Sequence, residues 1–141
     1  MYRRIITGIL IICLSLPALA QKKISFAEAD RKTYALYLAQ DWDSLIVVSR
    51  AARKAGYDTY FMRMRYGIAL YRKTRYRQAA SEFTGALSFN SGTPDALELL
   101  YYSLLMGGES GRSELITKEF KGDLAKKIAP VKGKFLSAVY A

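Results

Sequence analysis

The chain has 141 residues, 22 Lys or Arg against 12 Asp or Glu, a formal charge of +10, one cysteine and no histidine. The missing histidine rules out imidazole acid–base chemistry, a His-dependent triad and a His-ligated metal, and a single cysteine cannot build a disulfide framework. The carboxylates are scattered with no facing pair, so the composition predicts a non-enzymatic protein with no cofactor and no metal.

At the N-terminus, Arg3 and Arg4 precede the apolar run Ile5 to Leu16, and Ala18, Leu19 and Ala20 place small residues around a cleavage point. This is the pattern of a secretory signal. The apolar run, about 12 residues, is shorter than the roughly 20 a helix needs to cross a bilayer. The expectation is therefore a cleaved signal peptide over residues 1–20, with an uncleaved anchor as the alternative. Cys13 sits inside the apolar run, away from the position a lipid anchor needs, and its removal leaves an exported chain without a thiol.

Ser25 and Glu28 have the spacing of a capping box, and a first helix is predicted from about Phe26 to Ala39. Asp41 is a good N-cap for a second helix, in which Trp42, Leu45, Ile46 and Ala52 recur at helical spacing until Gly56 supplies a left-handed stop. Asp58 or Thr59 caps a third helix, apolar on more than one side, as expected of an inner helix touching several neighbours. A break at Thr74-Arg75 leads to a fourth helix carrying Tyr76, Ala79, Ala80, Phe83, Ala86 and Leu87, closed by Asn90-Ser91-Gly92.

Thr93-Pro94-Asp95 opens a fifth helix with a hydroxyl cap, a first-turn proline and an acid near the positive end of the dipole. Gly107 to Gly111 is expected to break the chain, Glu114 to Phe120 to form a poorer sixth helix, and Asp123 to Ile128 a short amphipathic cap. The run resembles a phosphate loop only superficially, because the Lys-Ser/Thr ending and the preceding strand are missing. Beyond Pro130, Phe135 to Ala141 reads as irregular or as the start of a strand. The domain plan is a signal over 1–20, helical repeats over 21–128 and a tail over 129–141.

Internal repetition organises these elements. Displaced by thirty-four residues, the stretch from Ala35 to Trp42 falls on Ala69 to Tyr76 with small, aliphatic and aromatic positions matched, and Ala52 falls on Ala86. A weaker third copy sets Leu70 on Leu104 and Thr74 on Gly108. Such a period marks stacked helical hairpins that bury a core only together.

Gly67, Tyr76, Ala79, Phe83 and Ala86 stand in order at the glycine, tyrosine, alanine, phenylalanine and alanine positions of the tetratricopeptide repeat. The chain resembles that family from about Phe26 to Phe120. Hairpin one keeps Trp42 and Ala52, with Thr33, Leu45 and Ser49 departing from the pattern. Hairpin three keeps Leu97, Leu104 and Gly108, with Ser113 and Thr117 departing. The expected fold is all-α, a solenoid of about three such hairpins with a short C-terminal capping helix and an irregular or strand-like tail. Segments such as Tyr66 to Tyr71 and Phe89 to Leu97 also look like the N-terminal repeat region of bacterial envelope proteins that continue into an outer-membrane β-barrel.

The family binds ligands in the concave groove formed by the first helix of each hairpin. Transferred to this chain, the resemblance implies a groove of Tyr34, Tyr37, Met64, Ile68, Tyr71, Arg72, Tyr102, Leu105 and Met106. Repeats that clamp carboxylate tails place Lys, Arg and Asn there. Here Asp30, Tyr34, Ile68, Glu98 and Tyr102 hold the comparable positions, which favours an extended or helical apolar-aromatic ligand.

A basic cluster suggests a second partner class. Between Arg31 and Arg77 eleven Lys or Arg face only Asp41, Asp43 and Asp58. Arg63, Arg65, Arg72, Lys73, Arg75 and Arg77 could hold anionic lipid or polysaccharide, or could simply form a solvated helix face. Export argues against nucleic acid. The leading reading is an exported scaffold, periplasmic or outer-membrane associated, that binds a protein or peptide. The alternatives are a basic module for anionic envelope material and the soluble arm of a barrel protein, with peripheral or barrel-linked membrane association.

Overall fold

The thirty-four-residue period is written into the helix boundaries. The computed structural model describes residues 24–139, with side chains through Val131. The inner helices are α1 (Phe26–Leu38), α3 (Tyr60–Arg72) and α5 (Pro94–Met106), and the outer helices are α2 (Trp42–Lys54), α4 (Tyr76–Phe89) and α6 (Ser110–Ile116). A single 3-10 turn (Thr117–Glu119) and α7 (Gly122–Val139) follow. Among the described residues the structure is all-α, with consecutive helices packed as hairpins.

Each inner helix ends in the same way. Gln40, Thr74 and Gly108 adopt left-handed backbone, with φ of 56°, 57° and 79°. Beyond each, the amide of the next residue, Asp41, Arg75 or Glu109, reaches back to Leu36, Leu70 or Leu104 at 2.8 to 3.0 Å. This closes the helix by satisfying carbonyls that have no intrahelical partner. At the starts, the Ser25 hydroxyl accepts from the Glu28 amide, Asp41 from Ser44, and Thr59 from Met62. Thr93 differs: its hydroxyl donates to the Asn90 carbonyl, leaving Pro94 to open α5 without a side-chain cap.

Aromatic packing keeps the same register. Tyr37 meets Trp42 edge-on at 6.2 Å between ring centroids, and their repeat equivalents Tyr71 and Tyr76 meet at 5.2 Å. Hairpin two supplies the centre, where Phe83, Ala79, Ala86, Ala69 and Leu70 are buried with Leu45, Ile46, Leu100 and Leu104. Gly67 lies against the Phe83 ring, so a methyl group there would come within 2.7 Å of it. Ala52 joins Ala29 and Met62 in a smaller cluster, and Leu97, Tyr101, Phe120, Leu124 and Ile128 form the cluster under α7.

Two expectations need correction. The sixth helix starts at Ser110 rather than Glu114, because the left-handed turn at Gly108 completes the reversal and Gly111 can enter the helix. The tail expected to be irregular or strand-like is the second half of α7, which continues through Pro130 to Val139. A helix satisfies its own backbone groups, whereas no strand among the described residues could pair with this one. Residues 140 and 141 of that tail, and the segment 1–20 assigned to a signal, lie outside the described residues.

Candidate functional site

The three inner helices enclose a cavity of about 480 Å³, within the range of pockets that hold compact ligands. α1 contributes Tyr34 and Tyr37, α3 contributes Tyr60, Phe61, Met64, Arg65 and Ile68, and α5 contributes Asp95, Glu98 and Leu99. Tyr60 and Phe61 meet edge-on at 5.3 Å. Phe61 is 67% exposed, an unusual degree for so large an apolar side chain, and Tyr34 is 52% exposed. The hydroxyls of Tyr34, Tyr37 and Tyr60 have no hydrogen-bond partner among the described residues.

Arg65 is held at the α1 side. Its guanidinium donates to the Asp30 carboxylate at 2.9 Å, to the Asp30 carbonyl at 3.0 Å and to the Thr33 hydroxyl at 2.6 Å, and it lies 5.4 Å from the Tyr34 ring centre. This distance is favourable for a cation over an aromatic face. Across the cavity, Lys127 of α7 meets Glu98 at 2.6 Å. That hydrogen bond raises the Lys127 pKa above the usual lysine value. Asp95 is exposed and makes no ion pair or hydrogen bond among the described residues.

Four groove positions expected from the sequence line this cavity: Tyr34, Tyr37, Met64 and Ile68. Tyr71, Arg72, Tyr102, Leu105 and Met106 do not. Tyr71 turns onto Tyr76 and packs against the central cluster, while Tyr102 and Leu105 pack against the cluster under α7. Burial, with Tyr76 and Tyr102 nearby, pushes the Tyr71 phenol above its ordinary pKa. Arg72 and Met106 are exposed at the ends of α3 and α5. The open space lies along the N-terminal parts of α3 and α5 and the C-terminal half of α1.

Tyr60, Phe61, Asp95 and Leu99 were absent from the expected groove, and Glu98 entered it only as a position that departs from a carboxylate clamp. Phe61 shares a helical stripe with Met64 and Ile68, and the repeat carries Phe61 onto Asp95 and Met64 onto Glu98. Extending the transfer one turn toward the starts of α3 and α5 would have found Phe61 and Asp95.

The six expected patch residues fall into two groups. Arg63 donates twice to Asp58, each bond at 2.6 Å, and approaches Glu82 at 3.5 Å. Arg53 also pairs with Glu82, whose burial raises its carboxyl pKa despite both arginines. Arg65 is occupied as described, and Lys73 pairs with Asp43 at 2.9 Å. Arg77 donates to the Gly107 carbonyl at 3.3 Å, whereas Arg72 and Arg75 have no ion pair among the described residues. Four of the six expected patch residues therefore tie elements of the fold together.

No family model and no curated protein matches the chain. Two solved structures of MamA, a tetratricopeptide-repeat protein, are similar to it. A MamA mutant superimposes with a TM-score of 0.58 at 17% identity, covering 67% of this chain and 72% of that one. MamA MSR-1 C2 gives 0.63 at 19% identity, covering 78% of this chain and 63% of that one. The fold is TPR-like. Among the described residues no group of three or more His, Cys, Asp or Glu could hold a metal ion, and no helix is long and apolar enough to cross a membrane.

Proposed function

We propose that this protein is a non-catalytic scaffold, exported to the bacterial cell envelope, that binds a peptide segment of another protein in the groove between α1, α3 and α5. The observation carrying the reading is the exposed aromatic lining, centred on Phe61, on the inner face of a TPR-like fold. Large rigid aromatics that can be desolvated are the side chains on which binding energy concentrates. Free phenolic hydroxyls beside them could meet a peptide backbone. The N-terminal basic-apolar pattern and the small residues before Gln21 support export.

Site-specific photo-crosslinking in cells tests the groove. A photoreactive phenylalanine analogue at position 61 should capture a partner, and the same analogue at Val47, which is 64% exposed on the outer helix α2, should not. Equal capture from both positions, or capture from Val47 alone, overturns the groove. Export is tested separately by N-terminal sequencing of the fractionated protein, with Gln21 as the expected first residue. A cytoplasmic protein retaining Met1 would exclude that part.

A further inference from the structure

The groove differs in charge from the chain that encloses it. The whole molecule carries +10, yet the groove is lined by Arg65, Asp95 and Glu98. Arg65 is matched by Asp30, and Glu98 by Lys127. Asp95 remains, exposed on the cavity wall and in direct contact with no cation among the described residues, its charge felt by the Lys127 ammonium that Glu98 holds. The Glu98–Lys127 contact also shows this wall accepting an ammonium group, since Lys127 reaches it from a separate helix at 2.6 Å.

We infer that the occupant of the groove is a peptide segment with an aromatic or aliphatic anchor beside a lysine or arginine, the anchor on Phe61 and Tyr34 and the cation on Asp95. The inference rests on the groove being the binding site. It deepens that reading by fixing the ligand's charge and the apolar anchor beside it. The anchor desolvates the aromatic lining, and charge complementarity at the α5 wall selects the sign. An acidic peptide drawn by the basic exterior would meet the exposed Asp95 carboxylate inside, and like charges discriminate against a wrong partner. Exterior and groove therefore favour opposite ligands.

Fluorescein-labelled hexapeptides with a Phe-Leu anchor followed by two lysines, two serines or two glutamates provide the probe, read by anisotropy with the full-length mature protein. The lysine peptide should bind about two- to fivefold more tightly than the serine peptide, the range an exposed ion pair supplies, with the glutamate peptide weakest. Asp95→Asn should remove the lysine advantage, and Asp95→Lys should place the glutamate peptide first. High salt should narrow the differences. Phe61→Ala should weaken all three peptides together, with helical content checked by circular dichroism.

If Phe61→Ala weakens all three peptides but their order ignores charge and Asp95, the cation inference is wrong and the groove stands. If the lysine preference survives Asp95→Asn, it arises elsewhere and the inference is wrong. If Phe61→Ala changes nothing, or no peptide binds at millimolar concentration, the groove reading itself fails.

Discussion

At the residue scale, Gly67 shows how a short-range preference yields to packing. In the middle of a helix, alanine is favoured over glycine by about 1 kcal/mol. Here a methyl group would stand 2.7 Å from one Phe83 ring carbon and 3.0 Å from two more. Phe83 is fully buried at the junction of α3, α4 and α5, so its ring has no free space to enter. Overpacking of this kind costs about 1–3 kcal/mol, which outweighs the propensity gain. Gly67→Ala should therefore destabilise the fold by about 1 kcal/mol net, measured by urea denaturation, and a stabilised variant would refute the close approach. Such scaffold positions were legible because size and spacing mark them directly. Asp95 was not, because an acid in the first turn of a helix already has a sufficient local explanation in the helix dipole.

At the element scale, the decisive signal was the recurrence of turns. Tyr60 and Pro94 open helices at positions related to Phe26 by the repeat, so hairpins one and two could be drawn from the pattern alone. The start of α6 was obscured by glycines that suggest a break, and the length of α7 by Pro130 and an aromatic, β-branched tail. Only the absence of a pairing strand among the described residues decides that conflict. The turn itself carries a measurable strain. Thr74, a β-branched residue, occupies the left-handed position that Gly108 fills in the next repeat. That backbone costs an L-residue about 1–2 kcal/mol, partly offset by the greater unfolded freedom of glycine. Thr74→Gly should raise stability by about 0.5–1 kcal/mol, and Gly108→Ala should lower it by about 1 kcal/mol. Thermal and urea unfolding of both variants check this, and a loss of stability in Thr74→Gly would show that the threonine side chain does more than occupy the turn.

At the scale of the whole molecule, stability and binding draw on different parts of the array. α3 and α4 have helical neighbours on both sides and contribute most of the central cluster, whereas α1 and α7 stand at the ends. In a stacked array each hairpin is stabilised chiefly by its neighbours, so opening should begin at the ends and reach hairpin two last. Hydrogen exchange should show the slowest amides at Tyr66 to Leu70 and Ala79 to Ala86, and faster exchange in α1, α6 and α7. The groove spans this gradient, because Tyr34 belongs to the end helix α1 while Phe61 and Ile68 belong to the stable centre. A ligand that bridges them should slow exchange most in α1 and the N-terminal half of α5, where there is most opening to suppress, and little in α3. The lysine hexapeptide provides the probe for that comparison. Slowing confined to α2 and α4 would place the ligand on the outer helices and exclude the inner groove as its site, whereas equal slowing along the chain would mean that the array opens as one unit.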